Sequence, residues 1–108
     1  MYPSFAVSNR EYNVAWTVRL QDEHCKPLSS GCAVIQPETI PQSGKFKLLR
    51  YIDPYGDTYF NRVQMDDFLE EWDSIQPSSD QREQWELVRT MALRCRDKAH
   101  LYLLFLGD

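Results

Sequence analysis

Nothing in the 108 residues approaches the roughly 18 to 20 consecutive apolar positions that a bilayer-spanning helix needs. The opening MYPSFAVSNREY has neither the basic n-region nor the apolar h-region of a secretory leader, so the expected setting is cytoplasmic, with no membrane partner. Cysteine is scarce: Cys25, Cys32 and Cys95 are an odd number without a leader, which argues for reduced thiols and against a disulfide framework. A metal site would have to draw on His24, Cys25, Cys32, Cys95 and His100. Their C-x6-C and C-x4-H spacings do not make the paired knuckles of a zinc ligand set, so no metal is expected. His24 and Cys25, adjacent in an extended loop, point apart and do not read as base and nucleophile. Glycine-rich phosphate loops, a nucleophile elbow and HExxH are all missing, and no cofactor is expected. Positive charge is also in deficit. Twelve Lys and Arg against sixteen Asp and Glu give a net charge of −4, which repels nucleic-acid backbones and anionic lipid.

What the chain does have is apolar material for one core, 43% hydrophobic and 13% aromatic, over a length that makes a single domain of residues 1–108. It also has a concentrated block of acid. Residues 53–73 hold Asp53, Asp57, Asp66, Asp67, Glu70, Glu71 and Asp73 against Arg62 alone, a local charge of −6, while the remainder carries +2.

Hydrophobic periodicity organises the rest. Tyr12, Val14, Trp16, Val18 and Leu20 alternate with Asn13, Ala15, Thr17 and Arg19, a period of two that predicts a half-buried strand. Residues 21–44, rich in proline and glycine, read as a long loop interrupted by a short edge strand at 32–35. The run KFKLLRYI carries Phe46, Leu48 and Ile52 on one face and Leu49 and Tyr51 on the other, and reads as a more central strand. Met65, Phe68, Leu69, Trp72 and Ile75 form the apolar stripe of a helix. A second helix is predicted over 79–97, with Ser78 and Gln81 as a capping box and Trp85, Val88, Met91, Ala92 and Cys95 inward. The closing HLYLLFLGD is apolar on both faces, as an interior strand is. The expected class is α+β: one mainly antiparallel sheet of about four to five strands, packed by a helical hairpin.

Between KFKLLRYI and the strand-like TYF stands DPYGD. Asp53, Pro54 and Gly56 are ordinary turn chemistry, which predicts a hairpin connection with Gly56 at positive φ. The same loop would display Asp53, Tyr55 and Asp57 at a rigid tip, where binding residues often sit. The segments RYIDPYGDTYFNRVQ and CRDKAHLYLLFLGD, residues 50–64 and 95–108, resemble a group of small single-domain bacterial proteins. That resemblance implies one domain, bacterial origin and a cytoplasmic setting, and brings no activity or catalytic residue to carry over.

Three functional readings remain open, the third being a purely structural subunit. An acid/base enzyme or small-molecule site would recruit Asp53, Asp57, Arg50, Asn61, Arg62 and His100, with paired carboxylates to raise one another's pKa and an arginine to hold an anionic substrate. The favoured alternative is a non-catalytic protein-binding module of the immunity or inhibitor type, in which an acidic surface neutralises a basic partner such as a bacterial toxin. Its expected contacts are Asp53, Tyr55, Asp57, Tyr59, Asp66, Asp67, Glu70, Glu71 and Asp73, because charge steers encounter and aromatic anchors slow release. Glu70, Glu71 and Asp73 add a specific argument. The acids near the helix start complement its dipole, but these three lie toward its C-terminal end, where anions are mildly unfavourable and repel one another, which points to a reason other than helix stability.

Overall fold

A computed structural model describes residues 15–24, 26–40, 46–53 and 55–107, the side chains of 28–30 excepted. Strands β1 (Trp16–Asp22), β2 (Pro27–Ile35) and β3 (Asp57–Asn61) are followed by helices α1 (Met65–Asp73) and α2 (Arg82–Asp97), and then by β4 (Leu101–Leu106). The four strands form one antiparallel sheet in the order β2-β1-β4-β3, an α+β fold as the periodicity predicts. The two apolar-rich runs, β1 and β4, take the centre.

Alternation sorts the side chains. Trp16, Val18 and Leu20 of β1 share a face with Leu101, Leu103 and Phe105 of β4, and all six are buried under the helices. From α1, Met65, Phe68, Leu69 and Trp72 enter this core; from α2, Trp85, Val88, Met91, Ala92 and Cys95 do. Both predicted stripes are the buried ones. Phe68 stacks on Trp72 at 5.5 Å, and Trp72 on Trp85 at 6.4 Å, nearly parallel in both cases. The two indoles also clasp each other's backbone. Trp72 Nε1 donates to the Trp85 carbonyl at 3.1 Å and Trp85 Nε1 to the Trp72 carbonyl at 3.2 Å, so neither buried N–H is left unsatisfied.

Several local expectations are corrected. Residues 46–52 of the run KFKLLRYI are not a strand: Leu49–Tyr51 is a 3-10 turn, and the buried residues are Phe46, Leu49 and Ile52, spaced by three. Asp53 to Asp57 is consequently no hairpin connection. Asp53 Oδ1 accepts from the Tyr55 amide at 2.9 Å, an Asx turn, and the Asp53 carbonyl accepts from Trp16 Nε1 at 3.0 Å. Gly56 does not have positive φ; among the described residues that conformation falls to Gly31 (φ 89) and His100 (φ 65). The constrained glycine at this corner is Gly107, whose amide donates to the Gly56 carbonyl at 2.9 Å and where a Cβ would come within 2.5 Å of that oxygen.

The capping box predicted at Ser78 and Gln81 is absent, since α2 has no side-chain cap. Gln81 is occupied elsewhere: its Oε1 accepts from the Gln36 amide at 2.9 Å and from Thr39 Oγ1 at 3.0 Å. A capping box does occur before α1, where Asn61 and Gln64 bond each other's backbone amides. The predicted edge strand at 32–35 is real and begins earlier, at Pro27. Tyr12, Asn13, Val14, Cys25 and Gly44 lie outside the described residues.

Candidate protein-binding surface

The acidic block divides into carboxylates the fold uses and carboxylates it leaves to solvent. Glu71, half-buried on α1, accepts from three consecutive amides: Lys47 at 2.9 Å, Leu48 at 3.1 and 3.2 Å, and Leu49 at 3.0 Å. These amides open the 3-10 turn and have no other acceptor there, so Glu71 pins the 46–52 segment onto the helix. Asp73 holds Arg89 of α2 in a two-point contact, Nε at 2.8 Å and a terminal nitrogen at 3.3 Å. The Arg89 pKa is raised, first by that hydrogen bond and then by the carboxylate's charge. Two of the three acids with no apparent reason to lie late in α1 thus have an intramolecular one.

The others differ. Asp57, Asp67 and Glu70 are exposed and make no hydrogen bond or ion pair among the described residues, and Asp66 lies near Arg96 without a direct bond to it. Asp53 keeps its exposure while its Oδ1 serves the Asx turn. Beside them two aromatic side chains stand in solvent, Tyr55 at 74% and Tyr59 at 52% exposure. Sequence reasoning missed a third, Tyr51, exposed at 64% with the Arg50 guanidinium 4.9 Å above its ring. Its assignment to a strand hid it; the spacing of Phe46, Leu49 and Ile52 by three was the available signal.

These residues occupy both sides of β3. Asp57, Tyr59 and Asn61 alternate with the buried Phe60 and so face the side of the sheet opposite the helices. On the helix side, Phe68 packs on Phe60 at 5.3 Å, which puts α1 with Asp66, Asp67 and Glu70 over the β3 half of the sheet.

The small-molecule set does not converge. Asp57 and Asn61 are the two ends of β3, about 13 Å apart at the rise of an extended strand. Asp53 and Asp57 therefore stand at one end, and Arg62 and His100 at the other. His100 Nδ1 is 3.4 Å from Glu23 Oε2, and Arg62 Nε donates to the Arg96 carbonyl at 3.1 Å. A cleft of about 280 Å³ near Arg62, Val63 and His100 does not reach either aspartate.

The described thiols are also apart. Cys32 is exposed on β2, on the sheet face away from the helices, whereas Cys95 is inside the core. Burial pushes the Cys95 thiol up to about 11, and its Sγ donates to the Leu101 carbonyl at 3.4 Å. Among the described residues no three His, Cys, Asp or Glu side chains come together as a metal would require, and no helix is long and apolar enough to cross a membrane.

No family model matches this chain, and neither a curated protein nor a solved structure does.

Proposed function

We propose that the protein is a non-catalytic binding module of the immunity or inhibitor type, acting in the bacterial cytoplasm, whose acidic surface neutralises a basic protein partner. The observation that supports this reading is the division within one helix. Glu71 is spent on three backbone amides, and Asp66 and Asp67 lie in the first turn, where the helix dipole favours acids, while Glu70 makes no contact among the described residues that would hold an acid there. Like charges at i and i+4, such as Asp66 and Glu70, weaken a helix slightly, and an opposite charge brought by a partner reverses that sign. Tyr55 and Tyr59 supply what charge does not: apolar area and a hydroxyl, held on a turn and a strand and not on a mobile tail.

The test is capture from a lysate of the source organism at low and high salt. Wild type is compared with a variant carrying Asp57→Asn, Asp66→Asn, Asp67→Asn and Glu70→Gln, in which Glu71 and Asp73 are kept so that the fold is not disturbed. A basic partner that wild type retains at low salt, and that the variant loses, is the expected result. Capture indifferent to both salt and substitution would defeat the reading.

A further inference from the structure

The sheet has two edges, and among the described residues the protein's own side chains cap more of one than of the other. The phase of the β3–β4 ladder is set by Gly107, whose amide donates to the Gly56 carbonyl at 2.9 Å. Residues 56 and 107 are then a hydrogen-bonded pair, as are Thr58 with Phe105 and Phe60 with Leu103. The amides and carbonyls of Asp57, Tyr59 and Asn61 must point the other way, out of the sheet. Gln64 Oε1 takes the Asn61 amide at 2.9 Å; the outward amides of Asp57 and Tyr59 meet no acceptor among the described residues. At the opposite edge two outward amides of β2 are capped from α2 and the turn before it, and that of Cys32 meets no acceptor among the described residues. Val34 donates to Gln84 Oε1 at 2.7 Å and Gln36 to Gln81 Oε1 at 2.9 Å.

We propose that the free edge of β3 is the docking point itself, and that it accepts an extended, basic segment of the partner as an added strand. This rests on the protein-binding reading for the sign of the partner's charge; the edge follows from the ladder. An unpaired strand edge offers an N–H and a C=O at every second residue, and a peptide laid along it completes both. Side chains of such a peptide alternate between two sides. On one they would meet Asp57 and Tyr59, and on the other the side of α1 with its unpaired acids, so lysine or arginine suits both. A second copy of this chain fits poorly, because β3 against β3 would bring two segments of −6 together.

The probe is a short capped peptide of alternating lysine and valine, added to 15N-labelled protein, with a glutamate–valine peptide as control. The expected result is shift changes and slowed exchange at the Asp57 and Tyr59 amides with the lysine peptide only. Two variants separate backbone from side chain. Tyr59→Pro removes an outward N–H the fold does not use, as edge strands tolerate, and Tyr59→Thr removes the ring but keeps the N–H. Binding should be about tenfold weaker in the proline variant than in the threonine variant. Should Tyr59→Pro not fold, protection of the wild-type Tyr59 amide decides. Equal binding by the two variants, shifts confined to β2 or α1, or no shift at millimolar peptide would overturn the edge proposal. Salt-dependent binding on α1 that ignores Tyr59→Pro would do so while leaving the acidic-surface reading in place. If instead the edge is a self-association site, β3 amides protected in concentrated protein without peptide would show it and the proposal would fall.

Discussion

Glu70 and Glu71 are chain neighbours that do opposite things, and no pattern in the sequence separates them. Both fall on the polar side of the α1 stripe. What distinguishes Glu71 is a set of amides more than twenty residues earlier, reached only because the 46–52 segment turns where a strand is predicted. Hydrogen bonds to a charged acceptor contribute more than neutral ones, and removing the acceptor strands three donors. Glu71→Ala should cost about 2 to 3 kcal/mol in urea denaturation, whereas Glu70→Gln should stay within about 0.5 kcal/mol. The cysteines give a second residue-scale prediction. A maleimide at neutral pH should label Cys32 in the native protein and leave Cys95 unmodified until denaturant is added, because the buried thiol stays protonated and shielded. The sign of its linkage follows. An ordinary thiol pKa of 9.0 raised to about 11 in the fold means the unfolded chain loses that proton first, so this group's contribution is full below pH 9 and declines as pH rises toward 11. Cys95→Ala should remove that part of the alkaline decline.

At the scale of elements, long periodic segments were legible and corners were not. The stripes of α1 and α2 and the alternation of β1 identify buried faces because the partner surface is broad and repeats with the chain. KFKLLRYI misleads because five apolar residues in so short a run fill both faces of a strand and also contain Phe46, Leu49 and Ile52 at a spacing of three, and Glu71 decides between the two. DPYGD holds a turn, as its Asp and Gly predict, but not a hairpin connection: its shape is set by Asp53's own side chain and by Gly107 just past β4, not by Gly56. Gly107→Ala should consequently destabilise the domain by about 2 to 3 kcal/mol, since its Cβ would press on the backbone of Asp53 and Gly56. Gly56→Ala would meet only the Asp53 carboxylate, at 2.9 Å, and should cost clearly less. Urea midpoints of the two variants check the order.

For the whole molecule, the sequence shows that acid is concentrated between residues 53 and 73 but not how it is divided. Folding engages Glu71 with the 3-10 turn and Asp73 with Arg89 at the surface, and leaves Asp57, Asp66, Asp67 and Glu70 around a strand edge whose Asp57 and Tyr59 amides meet no acceptor among the described residues. That division is the central claim, and association kinetics with the captured basic protein test it most directly. Exposed charges are screened within about 8 Å at physiological ionic strength, so an encounter steered by them slows steeply as salt is added. The account predicts a steep fall of the association rate with ionic strength for wild type, and a much shallower one when Asp57, Asp66, Asp67 and Glu70 are neutralised. Equal slopes for the two proteins would contradict it.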